Sequence, residues 1–161
     1  MTKHPSPGPN ASRFTWNDAF EVGHDQMDQT HQEFVTCVDA LLRAPDDALE
    51  PRLQAFAEHA KRHFADEDEA MRSGAYNAGG CHIDEHAAVL RSLDEVQEAL
   101  RQGRPAVVRA FAEALAGWFP EHARVMDLGL ARWRVQHRLG GAPVLIRRRT
   151  ESAARPATGV H

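Results

Sequence analysis

The chain has 161 residues, of which 42% are hydrophobic and 26% charged, so it is long enough to bury one core without disulfides and we expect a single domain. Its formal net charge of −4 and the lack of a basic stripe interleaved with aromatic residues argue against a nucleic-acid partner. No apolar run approaches the roughly 20 residues that a membrane span needs, and no signal peptide is evident, so we expect no membrane partner and a cytoplasmic location. Ten histidines are the unusual feature of the composition.

The two ends of the chain differ in composition from the middle. Residues 1–13 are rich in proline and polar residues, and we expect a disordered leader there. Residues 138–161 contain Gly140-Gly141 and the run Arg147-Arg148-Arg149, which predicts a flexible basic tail. The remaining residues, 14–137, form the expected domain.

Four segments of this domain show the periodicity of amphipathic helices. Breakers at 44–46, 73–80 and 103–105 separate them, and such short connections imply antiparallel neighbours. The predicted core-facing residues, segment by segment, are Met27, His31, Phe34, Val38 and Leu41; Leu49, Leu53, Phe56, Ala60, His63, Glu67 and Met71; His82, His86, Val89, Leu93, Val96 and Leu100; and Val108, Phe111, Leu115, Trp118, His122 and Val125. We therefore predict an all-α fold, an up-down-up-down antiparallel four-helix bundle with an N-terminal arm.

Each predicted core stripe contains at least one histidine. A buried imidazole or carboxylate costs several kcal/mol unless a partner satisfies it, so histidine in all four stripes calls for a common explanation. His31 lies early in its segment and His122 late in its own, and the other polar stripe residues follow the same alternation. Antiparallel packing places these positions at one level of the bundle, so the sequence predicts a polar layer near one end and an apolar core beyond it.

Two pairs of these polar residues have the spacing of chelating side chains. His63 with Glu67 and His82 with His86 are each separated by four residues, which places both members of a pair on one helix face. Two helices could thus each offer two ligands to a metal ion, a pattern far more specific than one buried histidine.

Asp127 follows His122 by five residues, which on an α-helix turns it about 140° away, so helical periodicity leaves its participation undecided. Imidazole and carboxylate ligands suit zinc, iron, copper or nickel. Five histidines with two carboxylates exceed what one tetrahedral zinc needs, and they would serve two octahedral ions with a coordination position left open.

From about Phe14 to Trp133 the chain resembles the hemerythrin family. The motifs that carry the resemblance are Phe14-Thr-Trp16 with Gly23 and Asp28-Gln-Thr-His31; His63-Phe-Ala-Asp-Glu67 with Met71; Tyr76 with Cys81-His82-Ile-Asp-Glu-His86; and Trp118-Phe-Pro-Glu-His122-Ala-Arg-Val-Met-Asp127. Seven positions match the family's metal ligands in type and order, which is much more specific than any single pair.

The resemblance implies a cofactor of two iron ions, passing between Fe2+ and Fe3+, with a bridging oxo or hydroxo group and dioxygen as the ligand. The implied metal ligands are His82, His86 and His122 on one iron, His31 and His63 on the other, and Glu67 and Asp127 as bridges. Dioxygen would bind at the iron with fewer histidines, and we expect Phe34, Phe64 and Trp118 to exclude water from the layer.

The implied function is that of a non-haem di-iron protein, rather than an enzyme, which binds dioxygen reversibly for oxygen storage, delivery or sensing. Two alternatives stay open. One is an oxygen or redox sensor that acts through an unknown protein partner, and the other is a di-iron enzyme with peroxide or nitric oxide chemistry. Outside the ligand set, we expect His59 to lie at the surface or beside a ligand, and Cys37 and Cys81 to be small half-buried residues.

Overall fold

In the computed structural model, which describes residues 13–74 and 76–138, every regular element is helical. The elements in chain order are a 3-10 helix at Asp18–Phe20, α1 at Asp25–Arg43, a 3-10 helix at Asp46–Ala48, α2 at Leu49–Ser73, α3 at Gly79–Arg101, α4 at Pro105–His122, a π-helical segment at Ala123–Asp127 and α5 at Leu128–Arg138. The predicted leader (residues 1–13) and basic tail (138–161) lie almost wholly outside the described residues.

The helix ends fall at the predicted breakers. At the end of α3, Gly103 has a φ of +77°, in the left-handed region that favours glycine. Its N–H donates to the Leu100 carbonyl while the Arg104 N–H donates to the Ala99 carbonyl, which satisfies the last carbonyls of the helix. Pro105 then opens α4, where its missing N–H costs nothing.

The helices pack as a closed four-membered ring. α1 packs against α2 and α4, and α3 packs against the same two helices. Short links between successive helices make neighbours antiparallel, so the predicted four-helix bundle is confirmed. Within the described ranges no helix is long and apolar enough to cross a membrane.

The main apolar core fills the half of the bundle beyond the histidine layer. Its largest fully buried side chains are Phe34, Leu41, Leu49, Phe56, Phe64, Leu93 and Phe119. The N-terminal arm covers one side of this core: the Phe14 N–H donates to the Asp39 carboxylate at 2.9 Å, and the Phe14 and Phe20 rings lie 6.1 and 5.5 Å from that of Phe119.

A second, smaller apolar cluster lies on the other side of the histidine layer. Its buried members are Val22, Met27, Met71, Leu130 and Ala131. In each helix these residues lie on the opposite side of the polar residues from the main core. The layer is therefore enclosed between two apolar clusters, whereas the sequence predicted an apolar core on one side.

Two predicted core positions at the end of the fourth segment are less buried than expected. Val125 is 51% exposed, and Trp118 is half-buried while its neighbour Phe119 is 1% exposed. The prediction for Val125 was wrong because the stripe was extended with α-helical periodicity into the π-helical segment, where each residue turns less about the axis.

Candidate metal centre

All seven predicted metal ligands are buried and lie in one layer. α1 contributes His31, α2 His63 and Glu67, α3 His82 and His86, α4 its last residue His122, and the π-helical segment its last residue Asp127. None of the seven is more than 5% exposed. Their donor atoms form two groups, each within 4.8 Å: three histidines with both carboxylates, and His31 with His63 and Glu67. Both groups could hold a metal ion, and the assignment of these residues as ligands stays a prediction.

The π-helical segment explains how Asp127 reaches the layer. A π-helix pairs each carbonyl with the N–H five residues later, and the Leu128 N–H donates to the Ala123 carbonyl in this way. Residues five apart then share a face, so Asp127 Oδ1 lies 3.1 Å from His122 Nε2. The angle that left Asp127 undecided thus holds for an α-helix but not for this segment.

The Asp127 carboxylate connects the two groups of donors. Its Oδ1 lies 2.8 Å from His82 Nε2, and its Oδ2 lies 3.2 Å from His31 Nε2. Neither oxygen has the angles of a hydrogen bond in these contacts. The imidazole nitrogens and the carboxylate therefore converge on a common space without satisfying one another.

Glu67 also connects the two groups. Its Oε1 lies 3.0 Å from His63 Nε2 and 3.4 Å from His31 Nε2, while its Oε2 lies 3.4 Å from the Nε2 atoms of both His82 and His86. A carboxylate with one oxygen towards each group has the placement that a bridging ligand needs.

Several buried polar atoms of the layer lack hydrogen-bond partners among the described residues. These atoms are His31 Nδ1, His63 Nδ1, both ring nitrogens of His82, Glu67 Oε2 and both carboxylate oxygens of Asp127. Buried polar groups without partners are rare because each costs free energy. Of these atoms, His82 Nε2, Glu67 Oε2 and the Asp127 oxygens face the space between the two groups, where bound cations would satisfy them, so these residues fit a metal centre.

Without a cation, the two buried carboxylates favour protonated imidazoles beside them. Burial disfavours a charged His31, but the contacts with Asp127 and Glu67 outweigh burial and raise its pKa to about 10. The same balance raises the pKa of His82 to about 9. The contacts with imidazoles hold the pKa values of Glu67 and Asp127 well below their usual range, although burial acts in the opposite direction. A metal ion at this centre must therefore displace protons.

Two further carboxylates contact the histidines from outside. Asp68 Oδ1 lies 2.7 Å from His86 Nδ1, and Glu85 Oε2 is hydrogen-bonded to His122 Nδ1. Sequence reasoning missed both, because each neighbours a predicted ligand in the chain and a charged residue beside a helix stripe is usually solvated.

Aromatic rings surround the layer on the side of the main core. The Phe64 ring stacks on His86 with centroids 4.1 Å apart, and the Trp118 ring stacks on His122 at 4.2 Å. Phe119, which was not among the expected residues, has its ring 5.4 Å from that of His31. The Phe34 ring, the third of the expected set, lies 6.0 Å from that of His63. All three expected rings therefore lie beside the layer, and the exclusion of water by them stays a prediction.

The predicted locations of His59 and Cys37 agree with the structure, whereas that of Cys81 does not. His59 is buried with its ring 5.5 Å from that of His63, so of the two expected locations it takes the one beside a ligand. Burial and then the charges of His63 and Arg62 lower its pKa to about 4. Cys37 is half-buried as predicted, whereas Cys81 is exposed, because it points outward from the first turn of α3.

Comparison with known proteins agrees with this geometry. The model of the hemerythrin HHE cation binding domain matches residues 22–133. The chain is 31% identical to a bacteriohemerythrin of Ralstonia nicotianae over 121 residues, which cover 75% of this chain and 88% of that protein. It is 24% identical to a myohemerythrin of Sipunculus nudus over 123 residues, or 76% of this chain and 92% of that protein. No solved structure matches the chain at a significant level. With a family model that spans most of its length and a relative of this similarity, the chain belongs to the hemerythrin family.

Proposed function

We propose that this protein binds two iron ions in the histidine layer and binds dioxygen there reversibly. The observation that carries the proposal is the unequal pair of buried donor groups that share Glu67. One tetrahedral ion would use about four of these donors and leave the rest buried without partners. Two ions use all of them.

The proposed ligands follow from the two groups. One ion would be held by His82, His86 and His122, the other by His31 and His63, with Glu67 and Asp127 between them. The second group supplies fewer imidazoles, so a coordination position for dioxygen would be open there. Bound iron would supply the electrons for dioxygen binding, and the protein would supply ligands and a dry environment.

The donor set favours reversible binding over oxidation of a substrate. It contains two carboxylates and five imidazoles, whereas bundles that perform oxidation chemistry surround their metals with glutamates. Fewer anionic ligands stabilise the ferrous state relative to higher oxidation states. The rings of Phe64 and Trp118, stacked on His86 and His122, would keep water and small anions away from the irons.

The test is anaerobic loading with iron(II) to saturation, followed by visible spectra while oxygen is admitted and then purged. We expect two irons per chain and an absorption band that appears with oxygen and fades when it is removed. Prompt oxidation without a reversible band would contradict reversible binding and favour a di-iron enzyme. A reversible band whose formation changes binding of a protein partner would favour a sensor.

A pair of variants ties the result to the layer. His63→Ala removes a buried donor, and we expect it to lose iron and the stabilisation that iron gives the folded state. His137→Ala removes an exposed imidazole at the end of α5 and should keep two irons. Two irons and unchanged melting in His63→Ala would contradict the proposed site.

A further inference from the structure

Two of the five layer histidines are held from behind by carboxylates that are not proposed ligands. The Nδ1–H of His86 donates to Asp68, and that of His122 donates to Glu85. An ionised carboxylate can only accept a hydrogen bond, which assigns the proton to Nδ1 and leaves Nε2 of a neutral imidazole with a free lone pair. In both residues Nε2 is also the atom that faces Glu67 or Asp127, and the two Nε2 atoms lie 3.2 Å apart, close enough to share one cation.

Only the three-histidine group has carboxylates hydrogen-bonded to Nδ1 of its imidazoles. His31 and His63, which form the smaller group, have no hydrogen-bond partner for Nδ1 among the described residues. His82 of the larger group lacks one as well. The two negative charges behind imidazoles thus both lie behind the three-histidine group and neither lies behind the two-histidine group.

We propose that Asp68 and Glu85 are positioning residues that make the three-histidine group bind its metal ion more tightly and favour the ferric state there. A carboxylate behind an imidazole fixes its tautomer and ring orientation and makes the opposite nitrogen more basic. A more basic ligand holds an ion of higher charge more strongly. The inference rests on the proposed function, because it concerns the two irons of that centre.

The two carboxylates should not contribute equally. Asp68 is 17% exposed and Glu85 38% exposed, so solvent screens Glu85 more. Glu85 also lines an open groove on the surface with Trp118 and Val125, while Asp68 lies between α2 and α3. Loss of the Asp68 charge should therefore have the larger effect.

The test uses Asp68→Asn and Glu85→Gln, which keep the shape of each side chain and remove its charge. Exposed neighbours provide matched controls in Glu69→Gln and Asp84→Asn. Each protein is loaded anaerobically with iron(II) and titrated with a competing chelator, the iron remaining per chain is measured, and reduction potentials are recorded by spectroelectrochemistry. Thermal unfolding of the metal-free proteins shows whether each variant folds. The iron affinity and reduction potential of either folded variant are enough to test the inference.

We expect the unmodified protein to release its two irons in separate steps. In Asp68→Asn the more tightly bound iron should dissociate about 10- to 100-fold more readily, and in Glu85→Gln somewhat less, with reduction potentials shifted to more positive values. The controls should match the unmodified protein. Unchanged affinity and potential in both variants, or equal weakening of both irons, would overturn the inference alone. An unmodified protein that binds no iron would overturn the proposed function as well.

Discussion

Two helical regions each place a histidine and a carboxylate on the same face towards the layer, but they do so with different backbone geometry. In α2, His63 and Glu67 are four residues apart and share a face of a regular α-helix. At the end of α4, His122 and Asp127 are five residues apart and share a face because the intervening turn is π-helical. The comparison teaches that backbone hydrogen bonding, as much as residue type, decides which side chains reach this layer. The first pair is visible in the periodicity of the sequence, and the second is not.

Changing the length of the π-helical segment is the strongest way to break this comparison. Insertion of an alanine after Val125 should turn Asp127 away from His122 and rotate the buried residues Leu130 and Ala131 out of the second apolar cluster. We expect this protein to bind fewer than two irons per chain and to melt at a lower temperature without metal. Iron analysis and thermal unfolding followed by circular dichroism measure both effects.

Deletion of Val125 is the matched control, and this variant should keep both irons and its melting temperature. One residue fewer lets the segment become α-helical, which leaves His122 and Asp127 four residues apart, as in the α2 pair, and keeps Leu130 in register. Val125 is 51% exposed, so its loss removes little packing. Two irons in the insertion variant, or loss of iron in the deletion variant, would contradict the role given to the π-helical segment.

Glu67→Gln tests the α2 member of the comparison and should have the next largest effect. The variant keeps the shape of the side chain but removes a buried charge that faces His31 and His63 at 3.4 and 3.0 Å. We expect the metal-free protein to lose about 3 kcal/mol of stability, because breaking a buried ion pair leaves its partners uncompensated. Both irons should also bind more weakly, since Glu67 belongs to both groups of donors. Denaturant unfolding and chelator titration check these outcomes, and a loss confined to one iron would show that Glu67 does not bridge.

The regular parts of the molecule were accessible from the sequence, and the irregular parts were not. Periodicity predicted that His31 and His82, on different helices, lie at one level, because antiparallel packing of regular helices fixes their heights. The π-helical segment could not be read in this way, since its single extra residue changes the register without a composition signal. That is why Val125 was wrongly placed in the core and why Asp127 depended on resemblance. Partners such as Glu85, found from another helix, require the packed structure.

Changing the pH tests how iron competes with protons on His31 and His82, which contact the carboxylates of both pairs. In the metal-free protein the raised pKa values of His31 and His82, about 10 and 9, mean that their contribution to stability is full below the ordinary value of 6.5 and disappears as pH rises through 9 to 10. Iron must displace these protons, so binding at pH 7 should release about two protons per chain. Affinity should then rise about tenfold per pH unit for each proton released. Calorimetry in buffers of different ionisation enthalpy counts the protons, and no release would contradict the protonated metal-free centre.

The smallest effect is expected beyond the layer, where the end of α2 meets the middle of α5. A Cβ at Gly74 would lie 2.0 Å from Cη2 of Trp133, so Gly74→Ala should displace that indole from the second apolar cluster. We expect the free energy of unfolding to fall by about 1 to 2 kcal/mol. Gly80→Ala is the control, since nothing lies within 4 Å of its Cβ position and alanine favours the first turn of α3. Thermal unfolding of the metal-free variants should move in opposite directions. This cluster covers the side of the histidine layer that faces away from the main core, so Gly74→Ala should also speed the release of iron to a chelator. An unchanged release rate would show that the main core alone keeps the layer closed.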